Sequence, residues 1–406
     1  MAGLIALACA YIMSQFYRSF LAVLTPDLVR DLAMTNNEMS QALGAWFIAF
    51  AIAQFLVGPM LDRFGPKRTA SLLLGMSGGG GTLLFAVATA PWMVILAMGL
   101  IGIGCAPVLM AAMTLFRHGF DLRRFAFLSA TFIAIGNAGN LLGSAPLAAS
   151  TQLAGWRTVV LALFAVTMVI AIAVLVLARD PKLHSMHDTE DQPDGTPLSG
   201  GSYLALLADR RLWAIFPIMG LSYAVVANIR GLWAGPFFTS VHGLGTTEIG
   251  NITLVIALAM VVGSLVYGPL DTLLKSRKWV VFGGTFIMFV ALLVWTLDPG
   301  GSVGRTTVLL GIIGLCGISY PVIMAHGMAF IPQNLSGRGL TLLNFFSIGG
   351  TGVMQSVSGF VYEASAQPGE PLSGFSAVLW LYVGTTAFAL IVYLFAQDAP
   401  PQPKGN

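Results

Sequence analysis

The stretch GPMLDRFGPKR, Gly58 to Arg68, places two glycines, one aspartate and the basic residues Arg63, Lys67 and Arg68 between two apolar runs, 39–61 and 69–89. Each run has the roughly 20 apolar residues that cross a bilayer. A turn this short and this charged cannot be a soluble domain, so the two runs form a membrane hairpin. Its basic residues place the turn on the cytoplasmic side.

The rest of the chain extends the pattern. Charged residues make up 9% of 406 and apolar ones 56%, with a mean hydropathy of +0.83. A soluble domain carries about 25% charge. Twelve spans are expected, at 3–25, 39–61, 69–89, 92–116, 125–149, 157–178, 212–240, 247–270, 278–297, 305–331, 338–362 and 374–396. The long polar stretch from Arg179 to Gly201 is rich in Pro, Gly and acidic residues and reads as a linker. The expected organisation is a six-span half at 1–178, a cytoplasmic linker at 179–211, a second half at 212–396 and a tail at 397–406. The opening MAGLIALACA has no Lys or Arg before it and reads as the start of span one rather than a leader.

Orientation follows from the basic residues. With both termini inside, the cytoplasmic segments hold most of the 20 Lys and Arg, and the outer loops only Arg30, Arg157 and Arg305. The halves also repeat. VGPMLD near Gly58 returns as YGPLD near Gly268, an offset of 210, and CAPVLMAA near Pro107 returns as SYPVIMAH near Pro321, an offset of 214. Arg124 and Arg338, opening spans five and eleven, differ by 214 as well. Parallel six-span repeats with a midplane site between them are a transporter plan.

The stretch Gly58–Arg68 resembles the signature of the major facilitator superfamily between spans two and three. Gly58, Leu61, Asp62, Arg63, Gly65, Lys67 and Arg68 fit the pattern, and Pro66 replaces a more usual basic residue. The second copy, GPLDTLLKSRK, keeps Gly268 and Asp271 and lacks the second glycine. The resemblance covers nearly the whole chain and implies an all-α bundle of twelve helices in two pseudo-symmetric halves. It also implies that Asp62 meets the positive N-terminal end of span eleven, near Gly337 and Arg338, and holds the outward-facing state. Gly58 and Gly65 are expected to permit close helix packing and a tight turn.

Two arginines lie inside spans. Arg18 is 17 residues from the N-terminus, about 25 Å along a helix. Arg230 follows at an offset of 212, inside span seven, the repeat mate of span one. An arginine at a helix centre is unfavourable by about 2.5–3.5 kcal/mol and usually faces a cavity or a partner. All 17 Asp and Glu fall in loops or at helix ends, so no membrane carboxylate is on hand to pair with either. One reading is that both guanidiniums hold a single anion, for which a bidentate carboxylate, phosphate or nitrate fits. The competing reading is snorkelling, or an outer-gate pair of Arg18 with Asp27 or Asp31. An arginine on each of spans one and seven also resembles the glycerol-3-phosphate/phosphate antiporter branch, and that likeness rests on the arginines alone.

Other polar residues suit a cavity. Tyr11, Gln15, Arg18 and Ala22 form one helical stripe; Tyr223, Arg230, Trp233 and Phe237 lie on neighbouring turns of span seven; Asn344, Thr351, Gln355 and Ser358 share a stripe in span eleven. Single amides of this kind also serve as interhelical contacts. Tyr320 adds a further ring. The run GMSGGGG, Gly75 to Gly81, matches no phosphate loop and reads as close helix packing, and GNAGNLLGSAP lacks the Gly-Pro core of a drug–proton antiporter motif. His326 is the only histidine well inside a span and a possible proton site, against the alternative of a neutral ring satisfied by backbone. Cys9, Cys105 and Cys316 show no metal or redox spacing.

The expected function is therefore secondary transport of a small anionic solute by alternating access, in a cytoplasmic (bacterial inner) membrane, with no enzyme activity, cofactor, metal or nucleic acid involved and a monomer as the working unit. Two other readings stay open. One is a neutral or vitamin-like aromatic solute stacked on Trp46, Trp233 and Tyr320; the other is a non-transporting sensor or scaffold on the same fold.

Overall fold

In the computed structural model the residues described are 2–119, 132, 135–178, 201–332 and 336–399. They form helices and no named strand. The chain divides into two compact units, Met1–Pro197 and Leu198–Asn406.

The first unit holds α1 (Ala2–Tyr17), α2 (Phe20–Leu32), α3 (Asn36–Phe64), α4 (Pro66–Leu72), a π-helical segment (Leu73–Gly79), α5 (Gly80–Ala86), α6 (Pro91–Gly119), α7 (Ala138–Leu142), α8 (Ala145–Ala154) and α9 (Trp156–Leu177). The second holds α10 (Gly201–Ala208), α11 (Arg210–Trp213), α12 (Phe216–Asn228), a second π segment (Ile229–Trp233), α13 (Ala234–His242), α14 (Thr246–Leu273), α15 (Arg277–Leu297), α16 (Val303–Cys316), α17 (Tyr320–Met328), α18 (Ser336–Ser365) and α19 (Pro371–Leu394).

Among the described residues nine helices are long and apolar enough to cross a membrane, ten with one bent pair. The expected span 338–362 lies within the 30-residue α18. Much of the expected span 125–149 lies outside the described residues, as do the linker 179–200, Arg124 and the tail from 400. The protein is an integral, multi-pass membrane protein.

Local signals set the hairpin that decides the fold. The α3 helix opens on a capping box: the Glu38 N–H donates to Thr35 Oγ1 and the Thr35 N–H to Glu38 Oε2, 2.8 Å. It ends at Gly65, whose φ of +82° disfavours other residues, and Pro66 then starts α4 at its first turn. Thr69 Oγ1 donates to the Met60 carbonyl at 3.0 Å across the turn. Gly65 thus makes the tight turn expected of it. Gly58 differs: a Cβ there would meet none of the described atoms within 4 Å, so packing inside its own half does not explain this glycine.

The glycine run has the expected use. A Cβ on Gly104 of α6 would lie 2.3 Å from the Gly78 amide nitrogen, and one on Gly81 2.7 Å from the Ala97 carbonyl. Helices come this close only where the approaching position carries no side chain. In the second glycine stretch, a Cβ on Gly139 would meet the Ile12 carbonyl at 2.0 Å, so α7 lies directly on α1.

Candidate functional site

Span one is not the continuous helix 3–25 that the sequence suggests. It breaks at residues 18–19, between α1 and α2, with a bend of 50°, and α2 runs on to Leu32. Arg18 sits at the break. Its guanidinium carbon lies 5.2 Å from the Trp46 ring and 5.3 Å from the Phe50 ring, two rings that themselves stack at 5.1 Å. The contact is a cation–π one. Among the described residues Arg18 has no ion pair, and its buried Nε meets no hydrogen-bond acceptor.

The outer-gate pairing of Arg18 is not present. Asp27 binds Arg30 at 2.9 Å, and Asp31 takes Arg30 at 2.8 Å, Arg157 at 3.3 Å and the Trp156 indole at 2.8 Å. Both carboxylates serve the far end of α2, about two and three helical turns past Phe20. Beside Arg18, Gln15 is 6% exposed and donates to the Tyr11 hydroxyl at 2.9 Å, while its Oε1 meets no donor among the described residues. The Tyr11 ring stacks on Phe132 at 5.2 Å. The break separates Ala22 from the stripe, because a helix that bends no longer keeps one face across the bend.

Arg230 also sits on an irregular segment. It lies in the π-helical stretch Ile229–Trp233 and is 3% exposed. Both intramembrane arginines thus occupy places where their span departs from α geometry, and π turns inside helices recur at functional sites. Trp233 turns into its own half: its indole N–H donates to Ser358 Oγ at 2.9 Å and its ring packs on Tyr362 at 5.1 Å. Phe237 packs on Trp295 and Phe375.

The predicted span-eleven stripe is buried on α18 at Thr351, Gln355 and Ser358, and half-buried at Asn344. Tyr320 donates to Asn344 Oδ1 at 2.9 Å, which joins two of the predicted residues. Tyr223 is half-buried on α12. Among the described residues neither polar atom of the fully buried Gln355 side chain has a hydrogen-bond partner.

The sequence reading omitted Asn228 and Tyr382. Asn228 is fully buried, and among the described residues neither its oxygen nor its nitrogen makes a hydrogen bond of good geometry. The Tyr382 hydroxyl lies near Ser358, Asn228 and Trp233 without reaching good geometry to any. A signal existed for Asn228, the only amide in span seven, two residues before Arg230.

On the Gly58–Arg68 hairpin the Arg63 guanidinium stacks over Phe64 at 5.4 Å, and Lys67 and Arg68 follow on α4. The side chains of Asp62 and Arg338, the expected gating pair, lie outside the described residues.

Known proteins share this architecture. The chain is 22% identical to the "Probable L-galactonate transporter" of Escherichia coli (strain K12), over 98% of this chain and 89% of that protein. It is also 22% identical to the "Probable sulfoacetate transporter SauU" of Cupriavidus necator, over 98% of this chain and 94% of that one. Among solved structures the nucleoside transporter NupG superposes with a TM-score of 0.74 at 15% identity, covering 97% of this chain and 98% of the other. A D-xylose-proton symporter gives 0.73 at 14% identity, covering 97% of each. The Major Facilitator Superfamily pattern matches residues 7–354, so the two repeated halves, the Gly58–Arg68 hairpin and the arginine-bearing spans are those of a member of that family.

Proposed function

We propose that this transporter moves a small organic anion by alternating access, and that Arg18 and Arg230 hold the anion's charge. The observation that carries the reading is Arg18: a guanidinium inside a span, set at a helix break against two rings, with no carboxylate partner among the described residues. An unneutralised arginine at that depth is costly unless an anion or water reaches it. The names of the two relatives, galactonate and sulfoacetate, are those of organic anions and support the same class.

The duplication relates Arg18 and Arg230 by sequence, and this supports a shared role. Tyr11, Gln15, Tyr223, Tyr320 and Asn344 are proposed to line the solute, with Gln355 and Trp233 behind them. The basic residues of the inner loops support a cytoplasmic membrane with both termini inside. Asp62, Arg63, Lys67, Arg68 and Arg338 are proposed to set the balance of outward and inward states. A thermal-shift screen of the purified protein against organic acids, phosphate esters, inorganic anions and neutral sugars tests the reading. Anions are expected to raise the melting temperature of the unaltered chain and not of Arg18→Gln. Stabilisation by neutral solutes alone would reject it.

A further inference from the structure

His326 lies near the end of α17, the short helix that follows an interruption at Gly317–Ser319. Its ring is buried and both nitrogens are engaged: Nε2 is 2.7 Å from the Gln397 carbonyl oxygen and Nδ1 is 2.6 Å from the Tyr393 hydroxyl. A carbonyl only accepts, so Nε2 carries the hydrogen. Nδ1 then holds the lone pair, and the Tyr393 O–H donates to it. The neutral ring has one donor and one acceptor, and each is matched.

The segment that supplies the Gln397 carbonyl is itself fastened. Asp398 accepts from Ser276 Oγ and from the Lys278 N–H at 3.1 Å, at the start of α15. Arg277 donates to the Ala399 carbonyl at 3.2 Å, and Lys278 Nζ to the Leu394 carbonyl at 2.7 Å. The charged groups around the ring are Asp398 on the tail and Arg277 and Lys278 on α15; Tyr393 faces it from α19 and Phe330 packs at 5.6 Å.

We propose that His326 is a positioning latch rather than a proton carrier: as a neutral ring it pins the free end of α17 to α19 and to residues 397–399. A proton carrier must offer its lone pair to a moving proton. Here Tyr393 already fills that position, and a second N–H could be met only if the Tyr393 hydroxyl turned from donor to acceptor.

Glutamine decides between the two roles, since its amide offers N–H donors and a carbonyl acceptor and takes up no proton between pH 5.5 and 8. Hydrogen exchange of the Met324–Ala329 amides is the first readout and needs no solute. His326→Leu and Tyr393→Phe each remove net hydrogen bonding, so exchange is expected to rise about two- to tenfold. His326→Gln is expected to stay within about twofold of the unaltered chain. Tyr393→Phe, which removes only a hydroxyl, carries the test if the leucine variant misfolds. The second readout is histidine NMR of the full chain, with the His326→Gln spectrum identifying the signal. It is expected to keep the neutral Nε2–H form from pH 8 to 5.5. A ring that gains a proton in that range, or exchange unchanged in the Tyr393→Phe variant, overturns the latch.

Discussion

In the first half the Tyr17 hydroxyl lies 2.9 Å from Thr167 Oγ1 and 3.0 Å from Thr82 Oγ1, and Thr82 also donates to the Gly78 carbonyl at 2.8 Å. Three helices, α1, α5 and α9, are tied through one satisfied cluster. In the second half the region between α12, α18 and α19 buries Asn228, Gln355 and Tyr382 with polar atoms that meet no partner of good geometry among the described residues. The arginines differ in the same sense. Arg18 lies half-buried on aromatic rings, and Arg230 is enclosed in a π segment. Close packing, by contrast, is matched. A Cβ on Gly102 of α6 would meet the Trp46 carbonyl at 2.3 Å, and one on Gly314 of α16, 212 residues on, the Ile256 carbonyl of α14 at 2.9 Å. The second half adds a glycine on the facing helix, Gly263, whose Cβ would meet the Leu315 carbonyl at 2.3 Å. Duplication has kept the contact and its glycine, while the polar interiors differ.

The comparison is most exposed at the arginines. Arg18→Gln and Arg230→Gln are each expected to weaken binding of a stabilising anion by about ten- to hundredfold, as for loss of a charge-assisted hydrogen bond of about 1.5–3 kcal/mol. Lysine is expected to restore only part, and the double variant to fall short of additivity. An Arg18→Gln chain that binds as before would make the two arginines unequal in function as well as in setting. Next come the glycines. Gly102→Ala and Gly314→Ala are each expected to destabilise by about 1–3 kcal/mol, since backbone must move, and equal losses in thermal unfolding would show that the repeated contact is equivalent. The polar clusters should separate the halves. Tyr17→Phe strands buried hydroxyls and is expected to lose about 1–2 kcal/mol, whereas Asn228→Leu removes an amide with no hydrogen bond of good geometry among the described residues, only the Tyr382 hydroxyl nearby, and should be near neutral.

The smallest effect belongs to the tail. Burial alone would raise the Asp398 carboxyl, but the hydrogen bonds from Ser276 and from the Lys278 amide hold it below the ordinary carboxylate value. A depressed carboxyl contributes its stability above the unfolded value, near 4, and loses it as pH falls through the folded one. A spin label at Ala399 is therefore expected to be immobile at pH 6 and to loosen only below about pH 4. Loosening near pH 6 would move the control from Asp398 to another group.

Much of this molecule was legible in composition and spacing. The hairpin at Gly58–Arg68, the apolar runs and the 210–214 offsets lead to the family without coordinates. So does the odd position of Arg18. The break at 18–19 and the π turn at Ile229–Trp233 were not legible, because hydropathy sums over side chains and is blind to how the backbone closes its hydrogen bonds. Trp233 and Gln355 could be placed on a face by periodicity, but not on the inner or outer side of their half. Asn228 and Tyr382 escaped notice because a lone polar residue in an apolar run carries no period. The tie between His326 and Gln397 joins residues 71 positions apart and has no local signature.

The π segment in span seven has a consequence for register. A π turn accommodates a residue more than the α pattern of its flanks, and each residue of an α-helix advances about 100° around the axis. Everything from Ala234 to His242 is therefore rotated relative to where an unbroken helix would put it. Removing one residue from Ile229–Trp233 would wind the segment back to α and swing Phe237 off the Trp295 and Phe375 rings, whereas substituting any of the five would leave the phase alone. In descendants and relatives of this chain the informative change at this place is one of length, a single-residue gap that marks which of them have kept the bulge beneath their arginine.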